Sequence, residues 1–167
     1  MRRSAAACIV VGLCAAGLSD PAGAATPLAQ LTGLWVGGGS DRDGPFAAAQ
    51  NTRCRARLAA DPVHLSASID CSGNAGLRKH IRFSVVFEGD RFTGHVEQIS
   101  RTDGGAPTRY AGSVTGTRDG DVANFTANFG MFLPSARVAL TLSSPTTYSM
   151  RISVLGRTLT DVTLHKR

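Results

Sequence analysis

Apolar and polar residues alternate with period two through nearly all of the chain after residue 50, and no other feature limits its fold so tightly. Successive side chains of a strand point to opposite faces, so alternation marks a sheet with one buried face. Val63, Leu65, Ala67, Ile69 and Cys71 fall on one face, and His64, Ser66, Ser68 and Asp70 on the other. Just before them Cys54, Ala56 and Leu58 share a face, while Arg53, Arg55 and Arg57 share its opposite. The pattern continues through Phe125, Ala127 and Phe129, through Ala136, Val138, Leu140 and Leu142, and through Tyr148, Met150, Ile152 and Val154.

Turn signals cut this pattern into ten candidate strands, the first around Trp35. Asp61-Pro62 divides two of them, because proline presets a turn. Gly89-Asp90 is the clearest signal. A two-residue loop there pairs Glu88 with Arg91, Phe87 with Phe92 and Phe83 with Val96, which puts every apolar residue on one side. Residues 102–107, 117–121, 143–146 and 156–158 supply the later turns. Short connections favour an antiparallel meander, and a long one-faced sheet removes its sticky edges by curling closed. The expected fold is all-β: an up-and-down barrel of about 8–10 strands in one domain over residues 26–167.

Ahead of that domain, Arg2 and Arg3 precede an apolar run from Ala5 to Leu18, and Ala22-Gly23-Ala24 forms a small-x-small cleavage site. This is the anatomy of a signal peptide over residues 1–25. Its apolar run is shorter than the roughly 20 residues of a membrane span. The expected location is the periplasm or the exterior. Cys8 and Cys14 leave with the signal, and Cys54 and Cys71 remain. Two cysteines in an oxidising compartment read as one disulfide, and they are too few to hold a structural metal. Folding about Pro62 brings both onto the same apolar face as near neighbours. The bridge closes a loop of about 18 residues, worth roughly 3 kcal/mol.

Gly33-Leu34-Trp35 resembles the G-x-W signature on the first strand of lipocalins and avidin-like barrels. The resemblance implies that Trp35 is a structural plug, sealing one end where first and last strands meet. Lys166 or Arg167 would then lie over its ring. With the Arg53–Leu58 segment and the cysteine at 71, the stretch also resembles a family of small exported β-barrel proteins of unknown function from Gram-negative bacteria. Size, an early Trp and a single disulfide resemble small exported inhibitors of secreted metalloproteases as well. The glycines at 37–39 are expected to let the chain leave the strand and turn.

Motifs for chemistry are few. The sequence has no nucleophile elbow, zinc-binding helix or phosphate loop. In the hairpin register His80 faces Ile99 and His95 faces Ser84, so these two do not pair as metal ligands. Asp41, Asp43, Asp61, Asp90, Asp103, Asp119 and Asp121 read as turn residues, which leaves no carboxylate pair for acid–base work. The expectation is a non-enzymatic protein without metal or cofactor. The formal net charge is +6, and arginine dominates the cations. Arg53, Arg55 and Arg57 point outward from one strand and Arg82 from another, a candidate anion-binding face. The same outer face lacks aromatics for base stacking, which argues against nucleic acid. The partners to expect are an anionic glycan, a small apolar ligand or a secreted protein, the last acting as an inhibitor-like barrel would. The aromatic girdles of a membrane-spanning barrel are missing. Inward Gly94, Gly112, Ala56, Ala67, Ala127 and Ala136 leave room inside, whereas Phe83, Phe87, Phe92, Phe125 and Phe129 point to a filled interior.

Overall fold

The alternating segments become strands, and each pairs with the next. The structure is a computed structural model that describes residues 28–131 and 133–167; the expected signal peptide lies outside them. After a single 3-10 turn at Leu28–Leu31 come β1 (Gly33–Asp41), β2 (Gln50–Ala60), β3 (His64–Gly73), β4 (Arg78–Glu88) and β5 (Arg91–Arg101). The second half holds β6 (Thr108–Asp119), β7 (Val122–Asn128), β8 (Ala136–Ser144), β9 (Thr147–Val154) and β10 (Arg157–Lys166). Every pairing is antiparallel, and β1 pairs with both β2 and β10, which closes an up-and-down barrel. No helix among the described residues is long and apolar enough to cross a membrane.

Alternation decides which side chains enter the core. On β2, Thr52, Cys54, Ala56 and Leu58 are buried while Arg53, Arg55 and Arg57 are exposed. The β4–β5 hairpin turns at Gly89-Asp90, with Glu88 opposite Arg91, Phe87 opposite Phe92 and Phe83 opposite Val96. Here apolar phase, turn chemistry and the flanking charge pair all demand the same register. Cys54 stands directly opposite Cys71 on the inner face, and the two form a disulfide between β2 and β3.

The meander gives the barrel two unlike ends. At the closed end the connections are short, over residues 61–63, 89–90, 120–121 and 145–146. Longer connections lie at the mouth, with residues 42–49, 102–107, 129–131 and 133–135, alongside 74–77 and the tight turn 155–156.

Gly37, Gly38 and Gly39 do not release the chain from its strand. All three lie inside β1, paired on both sides. A Cβ on Gly37 would stand 2.0 Å from the Thr163 carbonyl oxygen, and one on Gly39 2.0 Å from that of Asp161. Glycine is required because β10 presses its backbone against β1 where the barrel closes. Asp41 is not a turn residue either: it ends β1 and is 1% exposed. The last mouth turn falls on Leu155-Gly156, one residue earlier than the sequence pattern indicates.

Candidate functional site

Trp35 lies in the core at the closed end. Its position on β1 turns it inward between β2 and β10, opposite Ala56 and Lys166, and it is fully buried. The indole Nε1–H donates to the Leu31 carbonyl at 2.9 Å, and the Tyr148 ring meets it edge-on at 5.0 Å. Burial raises the Tyr148 phenol above its usual range. Lys166 lies over the indole and donates to the Gln30 carbonyl at 2.6 Å. The first and last strands thus tie the 3-10 turn down as a lid, with Leu28 buried beneath it. At the neighbouring 61–63 connection, the Val63 and His64 amides hold the Asp61 carboxyl below its ordinary value.

Above Trp35 the phenylalanines leave space toward the mouth. Phe87 and Phe92 pack at 4.9 Å near the closed end, and Phe92 meets Phe125 at 5.9 Å. Phe83 and Phe125, at mid-strand, form the floor of a cavity of about 350 Å³. The sequence leaves a roomy and a filled interior both open, and here the space above the phenylalanines is open. Alternation fixes which way each ring points but not how wide the barrel opens above it. Ile69, Ile81, Val96, Ala127, Ala136, Val138, Met150, Ile152 and Val154 line its wall, with Leu133 and Pro134 from the β7–β8 loop and Pro45 from the β1–β2 loop at its mouth.

Polar groups converge at the mouth end. Asp41 accepts from Lys79 Nζ at 2.7 Å, from Thr160 Oγ1 at 2.8 Å and from the Arg42 amide at 2.9 Å. Lys79 also donates to the Arg42 carbonyl, and Ser100 Oγ donates to Asp43 at 2.8 Å. This network pins the β1–β2 loop across the opening. A buried pair of this kind needs further hydrogen bonds to offset its desolvation, and Thr160, the Arg42 amide and the Arg42 carbonyl supply them. One inward row below Lys79 and Ser100, Gln98 and Tyr110 stand side by side across β5 and β6 and line the cavity. Neither side chain makes a hydrogen bond among the described residues, so both can receive a ligand's polar group.

Arg53, Arg55, Arg57 and Arg82 share one stretch of outer wall. The register runs Arg57, Ser68, Arg82, Glu97 across four strands, with Arg55, Asp70 and His80 in the adjacent row. Arg53, Arg55 and Arg57 make no ion pair or side-chain hydrogen bond among the described residues. Arg82 Nε donates to His80 Nε2 at 2.8 Å, which leaves His80 Nδ1–H to donate to Asp70 at 2.6 Å. The sequence pattern misses this chain because its members lie on two strands; the outward phase of Asp70 and His80 was the available signal. Arg57, Ser66, Ser68, Arg82, Ser84 and His95 line a shallow groove on this wall.

Comparison with protein-family models, with curated proteins and with solved structures finds no match.

Proposed function

We infer that the protein is an exported, non-enzymatic barrel that holds a small apolar ligand in its interior. The observation that carries this reading is the apolar cavity of about 350 Å³ at the mouth, within the size range of small-molecule sites. Gln98 and Tyr110 favour a ligand with one hydrogen-bonding group on an otherwise apolar body. The buried carboxylate Asp41 accepts three donors on its Oδ1, among them the Lys79 ammonium, an arrangement that suits a structural clasp better than acid–base chemistry. Trp35 serves as the plug that gives the cavity its closed base. The Cys54–Cys71 bridge fits the oxidising compartment beyond an inner membrane. Apolar side chains point inward and charged ones outward, the reverse of a barrel that spans a bilayer. Native mass spectrometry of protein purified from its own periplasm tests the reading: a retained small-molecule adduct supports it, and a bare chain that takes up no apolar compound refutes it.

The unpaired Arg53, Arg55 and Arg57 favour a second role for the outer wall, recognition of an anionic glycan. Such binding would weaken steeply with salt and vanish when Arg55 and Arg57 are replaced by Glu. Glycan binding that survives both changes removes the wall from the account.

A further inference from the structure

The rim of the mouth is apolar on one side only. Three neighbouring loops, β7–β8, β9–β10 and β1–β2, carry large exposed apolar side chains. Met131 is 91% exposed, Phe46 81%, Leu155 66% and Leu133 42%. The other two mouth loops offer Asn74, Ala75, Thr102, Asp103 and glycines instead. Soluble chains seldom gather such surface unless something covers it. Leu155 sharpens the point. Its φ of 51° lies in the left-handed region, where Gly, Asn and Asp fit and a leucine is strained. An asparagine there would make the better turn, so the apolar tip stands against local preference.

Charge indicates what covers the rim. Arg42, Arg78, Arg101, Arg137 and Arg157 stand at strand ends around the mouth, against Asp43 and Asp103. The closed end is more nearly balanced, with Asp61, Glu88, Asp90, Asp119 and Asp121 against Arg91, Arg118, Lys166 and Arg167. The excess of cations thus lies at the mouth, where the surface is also apolar. Arg157 lies 5.2 Å from the centre of the Phe46 ring, so cation and apolar tip already form one unit. Apolar tips inside a basic collar suit an anionic lipid surface, where the tips enter the acyl boundary and the guanidiniums meet phosphates. A second copy facing the same way would set two basic collars against each other.

We propose that the mouth docks on an anionic lipid bilayer through Phe46, Met131, Leu133 and Leu155. The proposal extends the cavity reading and rests on it for its purpose, because Leu133 belongs to both rim and cavity lining. A lipid-soluble ligand then passes between bilayer and cavity without crossing water. Vesicle docking and ligand retention are measured separately, so each fails on its own.

The test is co-flotation with vesicles of phosphatidylcholine containing phosphatidylglycerol, beside vesicles of phosphatidylcholine alone. The protein should float with the anionic vesicles, and less so as salt rises. The Met131→Ser/Leu155→Asn variant should bind about tenfold more weakly or worse. Because Leu155→Asn relieves the turn, this variant should melt no lower than wild type, which separates lost docking from lost folding. No flotation with anionic vesicles, or undiminished flotation of the variant, overturns the proposal. A dimer that the variant dissolves, without vesicle binding, assigns the rim to a second copy and overturns it as well.

Discussion

Trp35 and Lys166 stand opposite each other in the seam that closes the barrel, with the Lys166 ammonium 5.6 Å from the centre of the indole ring. The pair fastens both ends of the sheet to the lid formed by Leu28–Leu31. Truncation of a fully buried Trp typically costs about 3–5 kcal/mol, a large share of a small domain's stability. Trp35→Ala should therefore melt far lower or fail to accumulate. Wild-type Trp emission should be blue-shifted and poorly quenched by iodide. A red, freely quenched spectrum with an undiminished Tm for the variant would show that Trp35 seals nothing.

The bridge between Cys54 and Cys71 joins adjacent strands on the inner face. Its removal in Cys54→Ala/Cys71→Ala should lower stability by roughly 3 kcal/mol, as expected for a closed loop of about 18 residues. Denaturant unfolding of the exported protein, with and without reductant, measures the difference. Equal midpoints would mean that the bridge adds nothing.

Much of this architecture is legible in the chain because several signals agree. The β4–β5 register follows from Gly89-Asp90, from the Phe87–Phe92 pairing and from Glu88 opposite Arg91, and any slip would break all three. Signals that depend on distance in three dimensions are not legible. Asp41 sits beside Asp43-Gly44-Pro45 and reads as part of a turn, while its partner Lys79 lies 38 residues away on β4. The glycines of β1 read as flexible, since nothing local reveals that β10 will press against them. The cavity escapes for a related reason. Phase tells which residues point inward, but the space above Phe83 and Phe125 depends on barrel width.

Gly39 offers a direct check on the seam. A methyl group there would lie 2.0 Å from the Asp161 carbonyl oxygen and cannot be absorbed by a side-chain rotation. Gly39→Ala should destabilise by about 1–3 kcal/mol or more, the range for forced overpacking. The matching Gly44→Ala, with open space around its Cβ position, should leave the melting temperature nearly unchanged. A Gly39→Ala protein as stable as wild type would contradict the close approach of β1 and β10.

The Asp41–Lys79 clasp predicts a strong coupling. Lys79→Met leaves the Asp41 carboxylate buried without its cation and should cost about 3–5 kcal/mol. Adding Asp41→Asn removes the stranded charge, so the double variant should lose less than the two single variants together. Urea unfolding of all four proteins measures the cycle. Simple additivity would mean that the two side chains stabilise the mouth independently.

The most direct test of ligand holding is a titration of the protein with a solvatochromic apolar probe carrying one hydroxyl group, followed by fluorescence. The account predicts one saturable site per chain and a blue-shifted probe. Val138→Phe, which fills the cavity from its wall, should abolish binding while the β-sheet circular dichroism is retained. Tyr110→Phe/Gln98→Leu should weaken it by removing the polar partners. The absence of saturable binding, or binding undiminished in Val138→Phe, would contradict a ligand held inside the barrel.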